Sequence, residues 1–83
     1  MLVRISPAAS QHIRRLSPDA ATRVTTALRR LQENPRPPGC RLLRDRTPPT
    51  WRIRVGDWRI FYEIDDHAAQ VRVTGVRHRR EAY

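Results

Sequence analysis

Trp51-Arg52-Ile53-Arg54-Val55-Gly56-Asp57-Trp58-Arg59-Ile60-Phe61-Tyr62 reads as two strands joined by a two-residue turn. Gly followed by a small polar residue, between alternating apolar runs, is a hairpin signal. Gly56 supplies the positive φ that a type II′ turn requires at its first central position. The turn sets the register: Val55 faces Trp58, Ile53 faces Ile60, and Trp51 faces Tyr62. Side chains alternate with period two, so these residues form one apolar and aromatic face. The other face carries Arg54 opposite Arg59 and Arg52 opposite Phe61. Like charges directly across a strand pair cost roughly 0.2–1 kcal/mol. A solvated polar face that happens to use Arg and an anion site both fit this pattern.

The bulk composition bears on the same question. The chain has 83 residues, 39% of them hydrophobic, which predicts one small domain over 1–83 with a thin core. Domains of this length bury little more than about 60% of their unfolded surface, so a partner that completes the core would fit. Seventeen basic residues against eight acidic ones leave a net charge of +9, and every basic residue is Arg. Arg cannot lose its proton and presents a planar fork suited to phosphate. This excess implies an acidic partner, either nucleic acid or an acidic protein. The single cysteine, Cys40, excludes an internal disulfide and reads as an incidental thiol. No hydrophobic run approaches a membrane span and no charged-then-apolar leader is present, so a cytosolic protein is expected.

Outward from the hairpin, Met1 to Ile5 reads as an opening strand. Ser6-Pro7 and Ser17-Pro18 are each an N-cap followed by a first helical position. The first helix carries Ala8, Ala9, Ile13 and Leu16 at helical spacing, with His12 on a flank expected to face solvent. The second runs from about Pro18 to Glu33 with a stripe of Ala20, Ala21, Val24, Ala27, Leu28 and Leu31, and Asn34-Pro35 ends it. The pair is expected to form a helical hairpin. Residues 35–50 hold five of the seven prolines and read as a stiff connection whose segment 40–44 touches the core. After the hairpin, Asp65-Asp66-His67 is a turn, and Val71, Val73 and Val76 belong to a last strand of roughly Ala69 to Arg77. The expectation is an α+β fold of order β-α-α-β-β-β: a small, mostly antiparallel four-stranded sheet with the helical hairpin on one face and the arginine face open. Arg77-His78-Arg79-Arg80-Glu81-Ala82-Tyr83 would then leave the last strand near that open face.

Residues 51–64, followed by Val-x-Val-x-x-Val-x-His-Arg-Arg-Glu-x-Tyr at 71–83, resemble the RelE/ParE toxin superfamily, most closely its RelE-type branch of bacterial toxin–antitoxin modules. The resemblance extends over essentially the whole chain. It implies a metal-independent and cofactor-free ribonuclease that cleaves mRNA on the ribosome by attack of a ribose 2′-hydroxyl on the adjacent phosphate. It also implies a cognate acidic antitoxin and a toxin–antitoxin hetero-oligomer. The family's catalytic positions fall on Arg52, Arg54, Arg59, His78, Arg79 and Tyr83. The first-strand positions are Lys in the best-known RelE enzymes and Arg here, and Arg77 stands where Gly is frequent. The alternatives are a ParE-like toxin that poisons DNA gyrase and a non-catalytic RNA- or ribosome-binding module.

The chemistry needs a base for the 2′-hydroxyl, charge stabilisation, and a proton for the leaving oxygen. Arg52, Arg54, Arg59 and Arg79 can supply charge stabilisation but not a base, since Arg stays protonated. Tyr83 and His78 are the base candidates. Arg41, Arg44, Arg46, Phe61, Arg77 and Arg80 are candidate RNA contacts, Phe61 as a stacking surface on the arginine face. The carboxylates form no paired set, and no cluster has metal-ligand spacing.

Overall fold

The computed structural model describes residues 1–81. Elements follow in the order β1 (Leu2–Ile5), α1 (Pro7–Arg14), α2 (Pro18–Glu33), β2 (Arg41–Leu43), β3 (Thr50–Val55), β4 (Trp58–Asp65) and β5 (Gln70–His78). The architecture is α+β, with two helices and one mixed sheet of order β1-β5-β4-β3-β2. The sheet has five strands where four were expected. The addition is β2, which lies in the Pro-rich connection and pairs antiparallel with β3 from Thr50 to Arg52.

Both helices start as their local chemistry dictates. The Ser6 hydroxyl accepts from Ala9 N–H at 3.1 Å, and the Ser17 hydroxyl accepts from Ala20 N–H at 3.2 Å. Each follows the preference for an oxygen acceptor at the N-cap with Pro at the first helical position. Helix α2 buries Ala20, Val24, Ala27, Leu28 and Leu31. Of these, Val24, Ala27, Leu28 and Leu31 meet Ile53, Ile60, Tyr62, Val71, Val73 and Val76 from the sheet, with Ala9 of α1, in one core. Trp51, Val55 and Trp58 pack against its margin. Ala8 is exposed and Ala21 half-buried, so the buried stripes are narrower than the spacing suggested. The Tyr62 hydroxyl is held inside by donating to the Pro35 carbonyl at 2.8 Å.

The hairpin register is the expected one, from Trp51 opposite Tyr62 to Val55 opposite Trp58. Gly56 has φ of 60°, whereas Asp57 has no positive φ, which is the type II′ signature.

Strand β5 departs from regular alternation. Phe61 pairs with Gly75 and Tyr62 with Val73, which leaves Thr74 unpaired as a bulge. The Thr74 hydroxyl closes the gap by donating to the Phe61 carbonyl at 3.3 Å. The extra residue explains the spacing Val71-x-Val73-x-x-Val76: without it, Val76 would face away from Val71 and Val73. With it, all three are buried on the helix side.

Replacing Gly56 by Ala forces a side chain into the left-handed region, where a non-glycine residue is strained by about 1 kcal/mol or more. Its Cβ would meet the flexible end of Arg23 at 3.4 Å, a contact that can shift. The Gly56→Ala midpoint of urea denaturation is therefore expected to fall by the equivalent of about 1 kcal/mol with an unchanged m-value.

Candidate nucleic-acid interface

The face of the sheet away from α2 carries two rows of side chains. One runs Arg41 on β2, Arg52 on β3, Phe61 on β4 and Gly75 on β5. The other runs Arg54 on β3, Arg59 on β4 and Arg77 on β5. Among the described residues, the ion pairs join Arg23 to Asp19, Arg36 to Asp66, Arg72 to Glu63 and Arg79 to Asp57, and none involves an arginine of the two rows. Arg54 and Arg77 are exposed and Arg52 is half-buried, while Arg59 keeps only 7% of its surface accessible. The Nε atoms of Arg52 and Arg59 are buried with no hydrogen-bond partner among the described residues. An unsatisfied buried donor costs about 1–3 kcal/mol, more when charged, so the face is electrostatically incomplete.

The centre of this face is less open than the sequence suggested. Phe61 is 8% exposed, and the Arg46 guanidinium lies over its ring at 5.3 Å from the centroid. The physical reason is Arg46, in the connection between β2 and β3, whose side chain reaches over Phe61 on β4. A nucleobase would meet the plane of Arg46 before it met Phe61. Arg44 is exposed in the same segment.

The C-terminal candidates do not emerge together. Because of the bulge, Arg77 pairs with Arg59 on the arginine face and His78 pairs with Trp58 on the other. The rings of His78 and Trp58 make an edge-to-face contact at 5.1 Å, and His78 Nδ1 accepts from Arg80 N–H at 3.3 Å. His78 is thus separated from the arginine rows by the thickness of the sheet, contrary to the expectation that it shares their face. Arg79 sits against the hairpin turn: its N–H donates to the Asp57 carbonyl at 2.7 Å, and its guanidinium lies 3.8 Å from the Asp57 carboxylate. Both side chains are more than half exposed, so this pair is weak and exchangeable. Arg80 is exposed. Tyr83 lies outside the described residues.

One residue was only partly read from the sequence. His12 is half-buried and not a freely solvated side chain on α1. Strand β1 ends opposite Val73, and the edge of β5 beyond it is met by the His12 ring, whose Nδ1 accepts from Val76 N–H at 3.2 Å. Burial, then the Arg77 and Arg15 charges, push its pKa below the ordinary 6.5, against a smaller opposing effect of Glu81. Its partners stand more than sixty positions away, and the helical periodicity of α1 contains no trace of them.

A second concavity, of about 730 Å³, lies between α2 and the outer edge of β3. Arg23, Arg30, Arg41, Arg52 and Arg54 line it around Ile53, and no acidic residue does. Beyond Arg52 the β3 edge has no strand partner. Among the described residues no group of three or more His, Cys, Asp or Glu side chains could hold a metal ion. Among the described residues no helix is long and apolar enough to cross a membrane.

The family described as the ParE toxin of the type II toxin–antitoxin system, parDE, matches residues 3–83. Solved structures share the fold. The RelBE2 toxin–antitoxin complex from Mycobacterium tuberculosis is similar with a TM-score of 0.81 at 28% identity, covering 93% of this chain and 95% of that one. The archaeal RelE–RelB complex from Pyrococcus horikoshii reaches 0.83 at 20% identity, over 98% and 97% of the two chains. A YoeB/ParE toxin from Agrobacterium tumefaciens reaches 0.78 at 15% identity, over 94% and 98%. Comparison with curated proteins gave no match.

The lowered His12 pKa has a definite sign in stability. Between the folded value and the ordinary 6.5, the unfolded chain binds more protons than the folded one. The contribution is complete above about pH 6.5 and is lost as pH falls through the folded value. Urea midpoints measured from about pH 7.5 down to 5 should decline, and His12→Gln should flatten that decline.

Proposed function

This chain belongs to the ParE toxin family of type II toxin–antitoxin systems, and on that premise we propose that it is a cytoplasmic, metal-independent endoribonuclease that cuts mRNA on the ribosome. The observation that carries this reading is the arginine face. Arg52, Arg54, Arg59 and Arg77 stand side by side with no carboxylate paired to them among the described residues. Two buried Nε donors there lack partners among the described residues. A sugar–phosphate backbone supplies anionic acceptors for the accessible guanidinium groups of Arg52, Arg54 and Arg77 and neutralises the cross-strand repulsion. The charge that develops on phosphate during 2′-hydroxyl attack would be stabilised by the same guanidinium groups. Arg79, held only by a weak exposed pair with Asp57, is free to exchange that carboxylate for a phosphate oxygen.

The base for the 2′-hydroxyl is assigned to Tyr83, since His78 lies across the sheet and Arg remains protonated.

A cognate antitoxin is the natural partner. The similar Mycobacterium tuberculosis and Pyrococcus horikoshii structures are toxin–antitoxin complexes. The groove between α2 and β3, cationic at its rim with an unpaired strand edge, suits an acidic extended segment.

A second reading, poisoning of DNA gyrase without RNA cleavage, is favoured by the family description itself and by the distance of His78 from the arginines. Expressing the chain in cells and mapping mRNA 5′ ends on translated messages separates the two. Cuts at fixed positions within codons are expected. Arg54→Ala and Arg79→Ala should each lower the cleavage rate roughly ten- to hundredfold, the equivalent of one charge-assisted hydrogen bond. Tyr83→Phe should abolish it. Intact messages with accumulating DNA breaks would establish the gyrase reading instead, and growth unaffected by expression would sink both.

A further inference from the structure

We propose that the pocket of about 240 Å³ between α1, β5 and the 44–49 segment binds one base of a single-stranded RNA whose phosphates lie on the arginine rows. The proposal rests on the RNA-cleaving reading and adds a place where the RNA is held by something other than charge. His12, Arg46, Phe61, Gly75, Arg77 and Glu81 line the pocket. Arg77 belongs to it and also ends the row Arg54, Arg59, Arg77. A backbone lying along that row therefore leaves its base beside the pocket mouth.

The pocket has the two components that base recognition requires. The first is a stacking plane. Phe61 is buried, and the Arg46 guanidinium lies over its ring at 5.3 Å. Guanidinium planes backed by an aromatic ring stack nucleobases, and Arg serves this role where Lys cannot. The second is a set of donors and acceptors for a base edge. His12 Nδ1 already accepts from Val76 N–H, so the neutral ring carries its proton on Nε2, where it is a donor for a ligand. This tautomer makes His12 a recognition group and not a base. Glu81 offers acceptor oxygens and Arg77 further donors. The Thr74 hydroxyl is committed to the Phe61 carbonyl and takes no part.

Size and shape agree with this ligand. The cavity is smaller than the ~300–1,000 Å³ typical of pockets for drug-sized molecules, which leaves room for a single planar ring system. Part of the space exists because residue 75 is Gly. A Cβ there would lie 3.7 Å from the His12 ring, an ordinary contact, and a longer side chain would occupy the pocket.

The test uses the full chain with a short single-stranded RNA and with an RNA of the same length lacking its bases. Affinities are read by fluorescence anisotropy, and the backbone amide signals of Thr74 and Gly75, with Arg77 as the reporter of the arginine row, by NMR. The base-bearing RNA is expected to bind about tenfold more tightly than the abasic one. Its addition should shift the amide signals of Thr74 and Gly75, which line the pocket and lie off the arginine row, while the abasic strand shifts the Arg77 signal alone. Gly75→Val, which fills the pocket, and Arg46→Ala, which removes the stacking plane, should each bring the ratio of the two affinities towards one. Equal binding of the two RNAs with unmoved Thr74 and Gly75 signals would overturn the pocket assignment and leave RNA binding by the arginine rows standing. Failure of both RNAs to bind would overturn the RNA reading and the pocket with it. Should either variant not fold, the NMR comparison on the unsubstituted chain decides alone.

Discussion

Side chains along a strand alternate, so one unpaired residue reverses the face of everything after it. In β5 that residue is Thr74. The hydrophobic effect accounts for it. Fully burying a valine is worth about 1.5–3 kcal/mol. A regular strand that kept Val71 and Val73 in the core would expose Val76 and turn Arg77 inward, where an unpaired charge is prohibitively costly. A bulge costs one ladder position, and the Thr74 hydroxyl partly offsets that by bonding the Phe61 carbonyl. Four placements follow from this slip: Val76 in the core, Gly75 opposite Phe61, Arg77 beside Arg59, and His78 against Trp58. The candidate site is thus arranged by the packing of the opposite face.

The two faces of the sheet have opposed energetics. The helix side gathers Val24, Leu28, Leu31, Ile53, Ile60 and Tyr62 into the core and holds the fold together. The other side places guanidinium groups opposite one another on adjacent strands and leaves two Nε donors unsatisfied. That concentration of like charge opposes folding and favours an anionic partner, in keeping with the charge of +9 on 83 residues. An antitoxin and an RNA would relieve the same strain by different chemistry, the first with carboxylates and the second with phosphates.

Much of the fold was legible because its signals are local. Ser-Pro starts both helices, Gly56-Asp57 sets the turn and the β3–β4 register, and alternation separates Ile53 and Ile60 from Arg54 and Arg59. Strand β2 was not legible as a strand. Three residues are too few to show a period, and Arg41 to Leu43 become one only by pairing with β3. The same holds for Arg46, whose contact with Phe61 joins the β2–β3 connection to β4 across fifteen positions. His12 illustrates the limit most directly: its position on a helix flank was correctly read, and its hydrogen bond to Val76 depends on where β1 stops along β5.

The sequence by itself determined the alternation of arginines with apolar residues in the hairpin, the helical pair that covers the apolar side, and the excess of positive charge that calls for an acidic partner. Each is a matter of residue type at short spacing, which local sterics and solvation translate directly into structure. Only the tertiary structure decided which C-terminal residues join the arginines. The spacing Val71-x-Val73-x-x-Val76 contains the bulge, but its position depends on β5 pairing with β4, and that pairing places Arg77 on the arginine face and His78 behind it. The pocket beside Arg77 is tertiary in the same sense, since α1, β4, β5 and the 44–49 segment each contribute one wall and no two of them adjoin it through local sequence alone.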